Sequence, residues 1–104
     1  METRKDGPQL SEEITLDVPV ERGTEKIEKV RIRKPQAGEL RGLNLRELID
    51  QDVDQVRKAL PRVTVPSLTA HEIDQLDPAD LLHMGGELAL FFLKKADRPA
   101  SLKG

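Results

Sequence analysis

Three aspartates near the middle of the chain have the spacing of calcium ligands. Asp50, Asp52 and Asp54 alternate with single residues, as the first three ligands of an EF-hand loop do. That loop also needs glycine at its sixth position and glutamate at its twelfth, where this chain has Gln55 and Pro61. The aspartates therefore indicate helix capping and solvation, and we expect no calcium site.

Histidine and glutamate also occur together, but without the spacing that a zinc protease needs. His71-Glu72 is typical of the start of such a helix, yet Gln75 stands in place of the second histidine and His83 is too distant. The chain has no cysteine to complete a zinc site. No serine has the Gly-x-Ser-x-Gly context of a nucleophile elbow, and no glycine-rich loop opens a helix after a strand. We therefore expect no enzymatic activity, no metal and no cofactor.

Basic side chains line one face of a predicted strand. Lys29, Arg31 and Arg33 alternate with other residues and could contact an anionic partner. The alternative is pairing across a hairpin with acidic residues of the preceding segment, namely Asp17, Glu21 or Glu13. No aromatic side chain interleaves with the basic ones, and the formal net charge is −2. We favour the second interpretation and expect no nucleic-acid partner.

The best candidate for a binding site is apolar and lies near the C-terminus. A core-facing helical stripe is formed by Leu81, Met84, Leu88, Phe91 and Phe92. Leu90 and Leu93 point elsewhere, so the last turns are apolar on all sides. Either the hairpin covers the far side, or that side docks a partner or a second copy. In the second case the partner-binding residues are Leu88, Leu90, Phe91, Phe92 and Leu93.

Length and composition indicate one ordinary domain. The chain has 104 residues, of which 35% are charged and 37% are hydrophobic. Its two aromatic residues are adjacent, so the core elsewhere must be aliphatic. We expect no membrane partner, because no signal-peptide pattern opens the chain and the longest apolar run, Leu88 to Leu93, is far too short to span a bilayer.

Two extended segments precede this helix. Ile14, Leu16, Val18 and Val20 alternate with other residues, which predicts a strand with one buried face. Arg22-Gly23 suits the hairpin loop that follows, and Val30 and Ile32 mark the return strand. Pro19 cannot donate a ladder hydrogen bond, so its strand should lie at an edge or Pro19 should face away from the partner strand. Ile27 is out of phase and predicts either a bulge or a residue that covers the end of the sheet.

Capping residues and prolines in the rest of the chain predict helices. Asn44 and Glu47 form a capping-box pattern, and we favour two short helices separated at Asp50 to Asp52 over a single one, with Pro61 ending the second. Val63 to Leu68 is predicted to be an extended connector.

The last two helices follow this connector. Thr69 and Glu72 form a second capping box, for a helix through Leu76. Asp77-Pro78 then opens the longest helix, which we expect to run to about Lys95. Gly85-Gly86 inside it predicts a kink or close backbone packing.

These elements predict an α+β fold, with an N-terminal β-hairpin packed on a cluster of short helices plus one longer C-terminal helix. We expect residues 1–12 to form a disordered tail and residues 96–104 a flexible one. Residues 13–95 should form a single domain, with the hairpin at 13–34 and the helical part at 39–95.

The order of three runs in the chain resembles a known family. ITLDVPVERG, VRIRKPQAGELRG and LPRVTVPSLTAHEIDQLDPADL are together similar to the small phage tail assembly chaperones of the contractile-tail, myovirus and prophage type. The resemblance covers roughly Ile14 to Lys95, most of the chain. Its motifs look structural and supply no residue-level site.

The resemblance implies a non-enzymatic role before the mature virion forms. The implied partner is the tail tape measure protein, a long, largely helical chain whose apolar faces need shielding until tail-tube subunits polymerise around it. The implied location is the bacterial host cytoplasm, and the protein is not expected in the mature virion. The alternative function is a generic protein–protein adaptor or a self-associating interaction domain.

Overall fold

The structure is a computed structural model and describes residues 9–93. It contains three strands, one 3-10 helix and four α-helices in this range. The bounds are β1 Ile14–Arg22, β2 Glu25–Ile32, the 3-10 helix Ala37–Leu40, α1 Leu45–Ile49, α2 Val53–Val63, β3 Thr64–Val65, α3 Ala70–Asp74 and α4 Pro78–Leu90. The predicted α+β fold is confirmed.

The sheet is antiparallel and has one strand more than the predicted hairpin. Its strand order is β1-β2-β3, so β1, with Pro19, lies at an edge as predicted. In β3, Thr64 and Val65 pair with Ile32 and Arg31 of β2. The sequence predicted this segment as an extended connector. Two residues are too few for the period-2 pattern that identifies a strand.

The chain before β1 also pairs with β2. Leu10 forms a bridge with Arg33, and the Ser11 N–H donates to the Ile32 carbonyl at 2.7 Å. The Ser11 hydroxyl accepts from the Ile32 N–H at 2.8 Å, and Ser11 is buried. The prediction of a disordered tail is therefore corrected for residues 9–11. Residues 1–8 and the predicted tail at 96–104 lie outside the described residues.

The β1–β2 ladder is interrupted by a large bulge. Thr15 pairs with Lys29 but Val20 pairs with Ile27, so the four residues Leu16–Pro19 face the single residue Glu28. Ile27 was predicted to mark a bulge or to cover the end of the sheet. The bulge lies in the partner strand β1, and Ile27 is half-buried beside the core. Val18, predicted on the buried face, is 51% exposed because the bulge breaks the alternation.

The two-helix prediction for residues 45–63 is confirmed. Asn44 caps α1 by accepting from the Glu47 N–H at 3.0 Å. Its own N–H donates to the Gln55 side chain at 2.8 Å, so the predicted reciprocal contact from Glu47 is replaced. The prediction that Pro61 ends α2 is wrong. Proline removes only one hydrogen bond in the last turn, and α2 continues to Val63.

The cap predictions for α3 and α4 are confirmed, but both helices end early. Thr69 and Glu72 bond reciprocally at the start of α3, which ends at Asp74 and not at Leu76. Asp77 caps α4, which ends at Leu90 and not near Lys95. The next three N–H groups, on residues 91–93, each bond three residues back, so the chain tightens into 3-10-type turns. Lys94 and Lys95 lie outside the described residues.

The core lies between the sheet and the helices. Fifteen apolar residues are buried there: Ile14, Leu16, Val20, Val30, Ile32, Leu48, Val56, Ala59, Leu60, Val63, Leu68, Ile73, Met84, Leu88 and Phe91. Gly85-Gly86 was predicted to mark either a kink or close packing, and the structure shows close packing. Helix α4 is continuous, and a Cβ on Gly85 would lie 3.0 Å from the Gln51 side chain. None of the described helices is long and apolar enough to cross a membrane.

Candidate partner-binding surface

The five residues predicted to bind a partner differ in their solvent exposure. Leu88 and Phe91 are 1% and 5% exposed and belong to the core. Leu90 and Phe92 are half-buried and pack against it, whereas Leu93 is 39% exposed. In the folded domain, a partner could therefore reach Leu90, Phe92 and Leu93 but not the other two.

A different stripe of α4 is apolar and only partly covered by the rest of the domain. It begins at Leu82, which is 63% exposed, and continues through Gly86, Ala89, Leu90 and Leu93. The first four positions have the spacing i, i+4, i+7 and i+8, so they lie on one helical face, and Leu93 follows in the turns after α4. We call this set the α4 outer face. Leu82 is not among the residues predicted from the sequence, although it lies about two turns before Leu90 on the same helical face.

Gln51 fixes the α1–α2 junction against this part of α4. It has a positive φ of 60°, a conformation that few non-glycine residues adopt. A Cβ on Gly86 would lie 3.7 Å from its Nε2 atom, and one on Gly85 would lie 3.0 Å from its Oε1 atom. The two glycines therefore let the junction approach the helix closely.

More exposed aliphatic side chains lie at the α1–α2 junction. Ile49 and Val53 are 51% and 58% exposed and stand two residues before and after Gln51. Both therefore flank the residue whose side chain packs on the glycines of α4. Leu45, 48% exposed, precedes Ile49 by one turn. We call Leu45, Ile49, Val53 and the α4 outer face together the apolar surface.

Acidic side chains border the α1–α2 part of this surface. Asp50, Asp52 and Asp54 are all exposed. Asp52 caps α2 by accepting from the Gln55 N–H at 3.2 Å, as the capping interpretation predicted. Asp54 forms an ion pair with Arg57 at 3.1 Å. Among residues 9–93, no cluster of acidic and histidine side chains could hold a metal ion.

The basic strand face makes contacts within the chain. Lys29 lies 3.7 Å from Glu13, which agrees with one of the predicted pairs. The Arg31 guanidinium donates to the Ser11 carbonyl at 3.0 Å. The Arg33 guanidinium donates to both carboxylate oxygens of Glu39, at 2.9 and 2.8 Å. This pair raises the pKa of Arg33 and, with the Gln36 N–H, lowers the pKa of Glu39 to about 2.

A concave region lies between β1 and α3. It is an open groove lined by Val18, Pro19, Val20, Glu21, His71, Glu72 and Gln75. At its end, Arg22 donates to both carboxylate oxygens of Glu72, at 2.6 and 2.9 Å. These bonds, with a further one from the Thr69 N–H, lower the pKa of Glu72 to about 2. The Arg22–Glu72 pair therefore joins the sheet to α3.

The structure is a small α+β domain with exposed apolar side chains, and the comparison with known families identifies its class. The family model described as "Phage tail assembly chaperone proteins, E, or 41 or 14" matches residues 13–93. The chain therefore belongs to the phage tail assembly chaperone family, as the resemblance predicted. The family's role is non-enzymatic.

Two curated relatives come from Escherichia phage P2. Tail assembly protein E is 45% identical over 78 residues, which cover 75% of this chain and 86% of that protein. Tail assembly protein E' is 44% identical over 80 residues, which cover 77% of this chain and only 56% of that protein. The chain thus spans little more than half the length of protein E'. No solved structure gives a significant match.

Proposed function

We propose that this protein binds the tail tape measure protein and shields its apolar faces before tail-tube subunits polymerise around it. Binding would take place in the bacterial host cytoplasm, and the mature virion would lack the protein. The observation that carries this proposal is the apolar surface, present on a chain that belongs to the tail assembly chaperone family.

The size of the surface suits reversible shielding. Fully burying one aliphatic side chain contributes roughly 1.5–3 kcal/mol, so each half-exposed member adds about half of that. Association costs offset much of the total, which leaves a moderate affinity. A chaperone needs this property because tube subunits must later displace it. Docking a client helix against exposed apolar side chains is the natural mode of contact.

Co-expression with the tape measure protein of the same gene cluster tests the proposal. Wild type should keep the tape measure protein in the soluble fraction and co-purify with it. Leu82→Glu/Leu93→Glu places two charges on the most exposed positions of the α4 outer face and should abolish both effects. The matched control is Val65→Glu, which changes a 40% exposed aliphatic on β3, at the opposite sheet edge from β1.

The outcomes test the proposed binding of the tape measure protein separately from the location of the binding surface. Circular dichroism and thermal unfolding must first show that each variant is folded. If the double variant still solubilises the tape measure protein, the role survives and the surface is wrong. If wild type does not bind it at all, the tape measure proposal fails and the adaptor or self-associating alternative replaces it. Mass spectrometry of purified virions tests the expected absence of the protein.

A further inference from the structure

We propose that this chain pairs with a second copy of itself through the free edge of β2, by antiparallel strand addition over residues 25–29. The order of charges along this edge identifies the partner. The inference goes beyond the proposed function, because it concerns a different surface and a different partner.

The edge of β2 that faces away from β1 is only partly covered. In the strand order β1-β2-β3, β3 occupies this edge but pairs only with Arg31 and Ile32. Pro66 follows β3 directly and cannot donate a ladder hydrogen bond, so the strand stops there. No other backbone segment within residues 9–93 pairs with residues 25–29 on this side. An extended chain could therefore add to this edge through backbone hydrogen bonds.

Four charged side chains line this part of β2, and all are exposed: Glu25, Lys26, Glu28 and Lys29. Of these four, only Lys29 has an ion-pair partner within residues 9–93, namely Glu13 at 3.7 Å. Both side chains of that pair are about half exposed, so the pair contributes little. Charged side chains usually protect a sheet edge, because an incoming strand does not match them. A partner strand with the complementary order of charges is the exception.

The charges are ordered so that this strand matches itself. In an antiparallel pair centred on Ile27, residue 25 lies opposite residue 29 of the second copy, and residue 26 lies opposite residue 28. Both pairings join glutamate to lysine. Because the twofold symmetry repeats them, four opposite-charge pairs flank a contact between the two copies of Ile27.

Neighbouring registers lack this match. If residue 25 lies opposite residue 28, glutamate faces glutamate, and if residue 26 lies opposite residue 29, lysine faces lysine. Centring the pair on Lys26 or Glu28 places that side chain opposite its own copy, and a parallel pair in register does so for all four charges. Like charges directly opposite each other are destabilising. The charge order therefore specifies one register, and this register ends at residue 29, before the part of the edge that β3 covers.

Two double variants of equal composition test the register. Lys26→Glu/Glu28→Lys exchanges the charges of two positions that face each other, so all four pairs still join opposite charges. Glu25→Lys/Lys26→Glu exchanges the charges of two neighbouring positions, so every pair joins like charges. Both variants leave the net charge unchanged and lose the same lysine at position 26, so each is the control for the other.

Sedimentation velocity over a series of concentrations measures the self-association. We expect wild type to form a weak dimer, with a dissociation constant on the order of 100 μM, because a five-residue strand pair is far smaller than a standard interface. The first variant should keep this constant within about twofold, whereas the second should raise it at least about tenfold. High salt should reduce the difference between the variants, because screening weakens exposed charge pairs.

NMR spectroscopy locates the contact. As the concentration of wild type or of the first variant rises, the amide signals of residues 25–29 should shift and their hydrogen exchange should slow. The second variant should show neither change. Circular dichroism and thermal unfolding must first show that both variants are folded.

The results that would overturn the inference are specific. Wild type that stays monomeric at about 1 mM refutes the dimer, and equal dissociation constants of the two variants refute the register. Concentration-dependent shifts confined to Leu82 and Leu93 place the contact on the α4 outer face instead. A dimer together with failed co-expression rejects only the tape measure proposal. A monomer together with successful co-expression rejects only the strand pairing.

Discussion

Asp80 joins the N-terminus of α4 to the bulge of β1. It is 3% exposed, and its carboxylate accepts hydrogen bonds from the Asp17 and Val18 N–H groups at 2.9 to 3.2 Å. These are donors that the interrupted ladder leaves unused. The sequence alone shows Asp80 only as an acidic residue in the first turn of α4, because its partners lie more than sixty residues earlier in the chain. No local pattern reveals a contact of that separation.

Removing the charge of Asp80 should loosen this joint. Asp80→Asn loses one carboxylate oxygen and turns an amide towards buried donors, so we expect unfolding free energy to fall by roughly 2–4 kcal/mol. Asp77→Asn is the control, because asparagine remains a good N-cap and its effect should be small. Urea denaturation measures stability, and hydrogen exchange should show faster exchange of the Asp17 and Val18 amides. Unchanged exchange would contradict the role of the joint.

The adjacent glycines of α4 should respond oppositely to alanine. A Cβ on Gly86 would meet its nearest atom at 3.7 Å, an ordinary contact, so Gly86→Ala should stabilise by up to about 1 kcal/mol through helix propensity. A Cβ on Gly85 would lie 3.0 Å from Gln51 and 3.3 Å from Val56. Gly85→Ala should therefore destabilise by about 1–2 kcal/mol. Thermal unfolding of the two variants compares them, and equal shifts would refute the close packing.

At the scale of elements, caps and alternation predicted which segments form but not how they end or pair. Asn44, Thr69 and Asp77 each cap the helix that the sequence assigned to them. The bulge in β1 and the strand β3 depend on contacts between distant segments, so periodicity could not reveal them. No sequence pattern marks the early end of α4 at Leu90. The burial of Leu88 and Phe91 agrees with the core-facing stripe that periodicity predicted, and it removes both from the reachable part of the predicted binding site.

Two valines of the predicted buried face should now differ sharply. Val30 is 1% exposed and pairs with Ile14 in the β1–β2 ladder, whereas Val18 is 51% exposed in the bulge. Val30→Asn loses apolar burial and buries an amide, so we expect it to cost about 3–5 kcal/mol and leave little stability. Val18→Asn should change stability by less than about 0.5 kcal/mol. Circular dichroism with urea distinguishes them, and a stable Val30 variant would refute the sheet core.

At the scale of the whole molecule, bidentate arginine–carboxylate pairs link neighbouring elements outside the core. Arg22–Glu72 links β1 to α3, and Arg33–Glu39 links β2 to the 3-10 helix. A third pair, Arg57–Asp74, links α2 to α3. Individual charges were visible in the sequence, but their partners depend on tertiary packing. The basic strand face was therefore assigned only one of its actual partners, Glu13.

These pairs predict lower stability in acid. Glu39 and Glu72 have their pKa values lowered from 4.5 to about 2 by Arg33 and Arg22, respectively. Since the folded pKa lies below the unfolded one, the stabilisation is fully present above about pH 5 and is lost as the pH falls towards 2. The unfolding free energy should decline over this window. Glu39→Gln/Glu72→Gln should flatten the decline, and an unchanged slope would show that other carboxylates cause it.

The bulge of β1 also affects whether another strand can add to this edge of the sheet. An outermost strand normally offers a free row of backbone groups to which another chain can add. Here Pro19 has no N–H, and the Asp17 and Val18 N–H groups already donate to Asp80. An incoming strand would find the middle of this edge without available donors. A domain with exposed apolar side chains thus has, at β1, an edge whose middle resists amyloid-like strand addition.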